Sequence, residues 1–152
     1  NSARSILAEA LLNHLGGDRF RAFSAGSHPK GSVDPLALGL LEARGLPTRS
    51  LRSKSWDEYA APGAPPLDFI VTVCDNAAGE MCPVWPGKPT SAHWGIPDPA
   101  AARASESERR AAFAVALGSL DARIRRFIEL PLESLEPQAL KCALQEIGHT
   151  SP

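Results

Sequence analysis

Apolar residues recur at helical spacing in four stretches of the chain and run almost without interruption in a fifth. Between Ser2 and Leu15, the side chains of Ile6, Leu7, Ala10, Leu11 and Leu15 share one face at a 3.6-residue period. This predicts a helix stopped by Gly16-Gly17. Arg19 to Ala25 then alternates, with Phe20, Ala22 and Ser24 opposite Arg21 and Phe23, which predicts a short strand ending at Gly26. A loop over His28 to Ser32 leads to Asp34-Pro35, an N-cap followed by proline at the first helical position. Leu36, Ala37, Leu40 and Leu41 form the apolar face of that helix, and Gly45 is its stop.

Leu46 to Pro66 is rich in proline, serine and alanine and predicts a loop with one helical turn at Ser55–Tyr59. Leu67 to Cys74 is the clearest strand. Its nearly continuous apolar, β-branched run suits a parallel strand covered on both faces. A Gly-, Ala- and Pro-containing loop over Asp75 to Lys88 precedes a short strand at Thr90–Trp94. Ser105 and Glu108 form a capping box. The helix they open carries Phe113, Ala116, Leu117, Leu120, Ile124, Phe127 and Ile128 on one face and ends before Pro131. A last helix starts near Pro137, carries Leu140, Ala143, Leu144 and Ile147, and is closed by Gly148. Helices alternating with strands predict an α/β domain with a parallel sheet.

Composition narrows the partners. The 152 residues suit a single domain spanning 1–152, with 43% apolar and 22% charged residues in the range of ordinary globular proteins. Sixteen Lys+Arg against seventeen Asp+Glu leave a net charge of −1, so no basic surplus points to nucleic acid. No apolar run approaches the ~20 residues of a membrane span. The opening Asn-Ser-Ala-Arg-Ser is not a signal peptide, and three cysteines do not make a disulfide scaffold. These features fit a cytoplasmic protein whose thiols are structural or reactive.

Three groups of residues carry candidate chemistry. Asn1, Ser2, Ala3, Arg4 and Ser5 run straight into the first helix, whose N-terminus presents N–H groups and partial positive charge to an oxyanion. Arg4 adds a planar fork that grips two oxygens. A capped helix with a solvated arginine explains the same residues equally well. Cys74 ends a strand and Cys82 lies on the loop that follows, a placement suited to thiol exchange. On spacing alone both read more readily as small buried hydrophobes, the usual fate of free cysteine. Cys142 is expected to be structural, facing inward on the last helix. Asp98-Pro99 offers a carboxylate on a rigid turn, or a plain turn. His28 and His93 have no partner at ligand spacing, so no metal is expected there. His93-Trp94 is expected to pack beside the active-site loop.

Taken together these residues resemble one family. Asn1-Ser2-Ala3-Arg4-Ser5 with Ala8-Glu9 is similar to the second half of the Cys-x5-Arg phosphate loop of the low-molecular-weight protein tyrosine phosphatase superfamily. The likeness continues through Ser24-Ala25-Gly26, Val73-Cys74, Cys82-Pro83 and His93-Trp94-Gly95-x-x-Asp98-Pro99. It covers nearly the whole chain and looks like the thioredoxin-coupled arsenate reductase branch. The resemblance implies a three-layer fold: a four-stranded parallel sheet of order 2-1-3-4 flanked by helices. It implies that Arg4 clamps arsenate, Asp98 protonates the leaving oxygen, and a thiol relay ends in a Cys74–Cys82 disulfide. Thioredoxin or another thiol reductant would reopen that disulfide, and no cofactor is required.

The family's first nucleophilic cysteine and the strand feeding its loop would lie upstream of Asn1. The sequence as given is therefore expected to be truncated, inactive by itself, and to lack the first strand. Some relatives hold a potassium ion near the loop. Asn1, Glu9 and Ser24 match positions used there, but the further carboxylate expected near Trp56 is not matched in place, Asp57 and Glu58 standing after it, so potassium is not expected. Two other functions compete. A tyrosine phosphatase of the same fold would use Arg4 and Asp98 without the cysteine pair, although such enzymes usually carry an aromatic residue where this chain has Ala100-Ala101. A non-catalytic oxyanion- or arsenite-binding module would use Arg4, Cys74 and Cys82 without turnover.

Overall fold

Helix α1 spans Arg4–Gly16, and its first turn closes where the Leu7 amide donates to the Ala3 carbonyl at 2.9 Å. These coordinates come from a computed structural model that describes residues 3–26, 31–73, 89–97, 99 and 105–149. Ile6, Leu7, Ala10 and Leu11 are buried as the periodicity predicts, and Glu9 is buried with them. Gly17 ends the helix at φ +56, a conformation that favours glycine, and a 3-10 turn follows over Gly17–Arg19.

The strand predicted over Arg19–Ala25 does not form. No ladder covers it among the described residues; one parallel bridge joins Gly26 to Ser55. In the middle of the segment, Asn13 on α1 holds the Ala22 backbone instead. Its side-chain carbonyl accepts from the Ala22 amide at 2.8 Å, and its side-chain amide donates to the Ala22 carbonyl at 3.1 Å. A helix side chain thus satisfies backbone groups that a neighbouring strand would otherwise pair.

Helix α2, Pro35–Ala43, begins as predicted: Asp34 Oδ1 accepts from the Leu36 amide at 2.9 Å. Helix α3 is a single turn, Asp57–Ala60, overlapping the predicted Ser55–Tyr59 turn. Strands β1, Phe69–Thr72, and β2, Thr90–His93, form a two-stranded parallel sheet in the register Phe69↔Thr90 through Thr72↔His93. β1 is half-buried along its length, not covered on both faces as its apolar run predicts. The loop between Cys74 and Lys88 and most of the His28–Ser32 loop lie outside the described residues.

Helix α4, Glu106–Glu129, opens on Ser105, whose hydroxyl accepts from the Glu108 amide at 3.2 Å. It ends at Leu130, where Pro131 prevents continuation. α1 packs along α4, so Ile6, Leu7 and Leu11 share one buried cluster with Phe113, Leu117, Leu120 and Ile124. Phe127 joins the layers, with ring centroids 5.2 Å from Phe20, 5.2 Å from Phe69 and 6.0 Å from Trp94. Among the described residues no helix is long and apolar enough to cross a membrane.

Helix α5, Pro137–His149, corrects two expectations. Gly148 is the penultimate residue of the helix, one before its end at His149, rather than the residue that follows it. A Cβ there would stand 2.5 Å from the His93 carbonyl oxygen and 2.8 Å from Trp94 Cδ1, so glycine lets α5 approach β2. Cys142 does not face inward: it is exposed, on the opposite side from buried Leu144 and Ile147.

Candidate active site

Of the predicted site residues, Ala3, Arg4 and Ser5 are described; Asn1, Ser2, Cys74, Cys82 and Asp98 lie outside the described residues. Ala3 is buried, and Arg4 and Ser5 are half-buried at the start of α1. Among the described residues Ala3 gives α1 no side-chain cap and no acidic residue sits in its first turn, so its positive end is not offset by a carboxylate of its own first turn.

Arg4 Nη1 donates to the Ile96 carbonyl at 2.8 Å. That bond fixes the guanidinium at the carboxyl ends of β1 and β2, where parallel sheets present their ligand sites. The ladder extends past both strands. The Trp94 amide donates to the Thr72 carbonyl at 2.7 Å and the Ile96 amide to the Val73 carbonyl at 3.0 Å. Arg123 on α4 holds the same segment, donating from Nη1 to the Gly95 carbonyl at 3.2 Å, and burial pushes its guanidinium below the ordinary arginine value. Arg4 is therefore brought together with Val73, the neighbour of Cys74, and with Ile96, two residues before Asp98.

His93-Trp94 anchors this edge. A hydrogen bond of 2.7 Å joins Thr72 Oγ1 and His93 Nδ1 across the strands. Trp94 is buried, and its Nε1 donates to the Leu144 carbonyl of α5 at 2.9 Å.

Lys54 is the residue that the sequence reading missed. Its Nζ lies 3.4 Å from Glu9 Oε1, which also accepts from Ser24 Oγ at 2.8 Å. The Lys54 and Glu9 side chains are only 4% and 8% exposed, which makes this a buried ion pair. Glu9 and Ser24 are two of the three positions at which the family resemblance suggests a potassium site. Lys54 presents an ammonium to the same carboxylate oxygen, so the residues present do not fit a potassium ion.

Comparison with known proteins agrees with the geometry. The family profile described as low molecular weight phosphotyrosine protein phosphatase matches residues 1–140. The arsenate reductase of Halalkalibacterium halodurans is 33% identical over 129 residues, covering 85% of this chain and 89% of that protein. The arsenate reductase of Bacillus subtilis is 32% identical over the same shares. Among solved structures, the Corynebacterium glutamicum thioredoxin-dependent arsenate reductase superposes with a TM-score of 0.61 at 27% identity. That match covers 84% of this chain and spans 55% of the longer structure. An arsenate reductase in its reduced state, at 22% identity and a TM-score of 0.62, shares the fold. Sequence profile, relatives and fold agree that this chain belongs to the low molecular weight phosphotyrosine protein phosphatase family, among its arsenate reductases.

Proposed function

We propose that the protein reduces arsenate to arsenite through a cysteine relay, in the cytoplasm, as one domain over residues 1–152 with the relay's first cysteine upstream of Asn1. Arg4 and the α1 N-terminus hold the oxyanion together with Asn1, Ser2, Ala3 and Ser5. The upstream thiolate attacks arsenic, and Asp98 protonates the departing oxygen, which leaves as water. The Cys74 thiolate then attacks the upstream sulfur. A disulfide forms, the sulfur–arsenic bond breaks, and its electron pair leaves with arsenic as arsenite. Cys82 attacks Cys74, releasing the upstream thiolate and leaving a Cys74–Cys82 disulfide. A dithiol donor of the thioredoxin kind supplies the two electrons that reopen it.

The supporting observation is the Arg4–Ile96 hydrogen bond, which tethers the oxyanion clamp to the segment running into Asp98 and, through Val73, to the strand running into Cys74. On this reading β1 and β2 are the last two strands of a four-stranded parallel sheet ordered 2-1-3-4. The relatives' names support arsenate as substrate, and one solved relative supports thioredoxin as donor.

The test uses the protein expressed from its complete coding sequence, with arsenate, thioredoxin and its reductase. Steady arsenite release is expected, with Cys82→Ser stopping after a single turnover. Replacing the Arg4 fork by a point charge, Arg4→Lys, should lower kcat/KM by about tenfold or more. Steady turnover without Cys82, or phosphotyrosine hydrolysis without arsenate reduction, overturns the reading.

A further inference from the structure

We propose that the Lys54 ammonium is a resident cation of the oxyanion site: paired with Glu9, it fixes the helix that begins at Arg4 and takes the place of any free monovalent cation. The inference deepens the reading of the site given above and rests on it. Glu9 is buried inside α1, and a carboxylate in such a place needs a positive partner and donors. Both are supplied by the chain itself. Ser24 donates to Oε1, and Lys54 approaches the same oxygen while also donating to the Arg52 carbonyl at 3.1 Å.

The lysine backbone is held as well as its side-chain head. The Gly26 amide donates to the Lys54 carbonyl at 2.9 Å, and the Trp56 amide donates to the Gly26 carbonyl at 3.0 Å. Lys54 is thus pinned beside the 24–26 segment by its backbone and reaches across to α1 with its charge. Because it is covalently attached, this cation loses no translational freedom on pairing, whereas a free ion does.

Glu9 lies about one and a half turns along α1 from Arg4. One end of the helix is tied at Ile96 by Arg4, and its middle is tied at Lys54 by Glu9. Two anchors on one rigid element fix its rotation as well as its position. A bidentate guanidinium depends on that orientation, since a planar fork recognises an oxyanion by direction as well as charge. Lys54 is accordingly a positioning residue for Arg4.

The test measures arsenate kcat/KM, and in parallel the Kd for inorganic phosphate, on the protein expressed from its complete coding sequence. Potassium chloride is compared with tetramethylammonium chloride at equal ionic strength, so that general screening cancels. For the wild type the two salts should agree within about 1.5-fold. Lys54→Ala should lose about ten- to a hundredfold in kcat/KM in tetramethylammonium and regain several-fold in potassium, an ion small enough for the vacated space. Lys54→Met fills that space without charge and should lose as much with no recovery. A purely structural role would lower the melting temperature without creating a potassium response. Stimulation of the wild type by potassium of more than about threefold overturns the inference, and needs no variant to fold. So does an unchanged kcat/KM in both Lys54 variants. If the wild type reduces no arsenate in either salt, it is the reading of the site that fails, and the phosphate Kd values still decide the role of Lys54.

Discussion

Two ion pairs sit two residues apart and behave as opposites. Arg52 meets Glu58 with two contacts, at 2.6 and 3.0 Å, the geometry of a bidentate fork. Lys54 meets Glu9 at 3.4 Å, a longer and single contact. By distance the first pair is stronger. The surroundings reverse the order. The Arg52 and Glu58 side chains are 59% and 43% exposed, so water and salt screen them. Lys54 and Glu9 are enclosed, and removing either leaves a buried charge without its counter-charge. Arg52 takes part in both pairs: its guanidinium faces solvent while its carbonyl accepts from the Lys54 ammonium. Contact length describes a pair, but desolvation sets what its loss costs.

The largest expected effect tests the enclosed pair. Lys54→Met should lower unfolding free energy by about 3–5 kcal/mol, read by urea titration. Adding Glu9→Gln should restore most of it, giving a coupling of about 2 kcal/mol or more in the double-mutant cycle. Simple additivity would break the comparison. Next in size, Ser24→Ala removes a hydrogen bond to the buried carboxylate and should cost about 1.5–3 kcal/mol in the same titration. The smallest effect belongs to the exposed pair. The hydrogen bond from Arg52 holds the Glu58 carboxyl below the ordinary glutamate value. Its stabilisation is therefore present above the unfolded pKa and lost as pH falls through the lowered folded one. Melting temperatures of wild type and Glu58→Gln should differ slightly at neutral pH and converge in acid and in high salt. A gap that survives high salt would show that exposure does not weaken this pair.

Helix ends and apolar faces were legible in the sequence because their causes are local. Asp34-Pro35 and the Ser105–Glu108 box act within a few residues, and the cores of both strands follow from short runs. The expectations that missed depend on contacts far along the chain. Alternation over Arg19–Ala25 is a sound strand pattern, but a ladder needs a partner elsewhere in the chain, and at Ala22 the partner is the Asn13 side chain of a helix. Gly148 reads as a stop, yet it is the penultimate residue of the helix, which ends at His149, and its bare Cα fits against His93. For the site, Arg4 was readable from its motif, whereas its partner Ile96 is 92 positions away and carries no polar side chain to announce it. Lys54 sits in a polar stretch that reads as exposed. The signal that could have found it was a mismatch of charge: Glu9 and Ser24 fit a cation site, the further carboxylate is not matched in place, and a lysine stands two residues before Trp56.

The pairing of α1 with α4 also sets a timetable for synthesis. Ile6, Leu7 and Leu11 leave the ribosome early, but Phe113, Leu117 and Leu120 follow roughly a hundred residues later, a delay of about 5–20 s at ordinary elongation rates. Until then the nascent chain carries an apolar helix face that only α2 can begin to cover. A core closed between distant segments forms slowly, because the intervening chain must be looped before the contact is made. Folding of this protein is therefore gated by translation of its second half, and ribosome-bound chains released before α4 emerges are the species most exposed to aggregation and to chaperone capture.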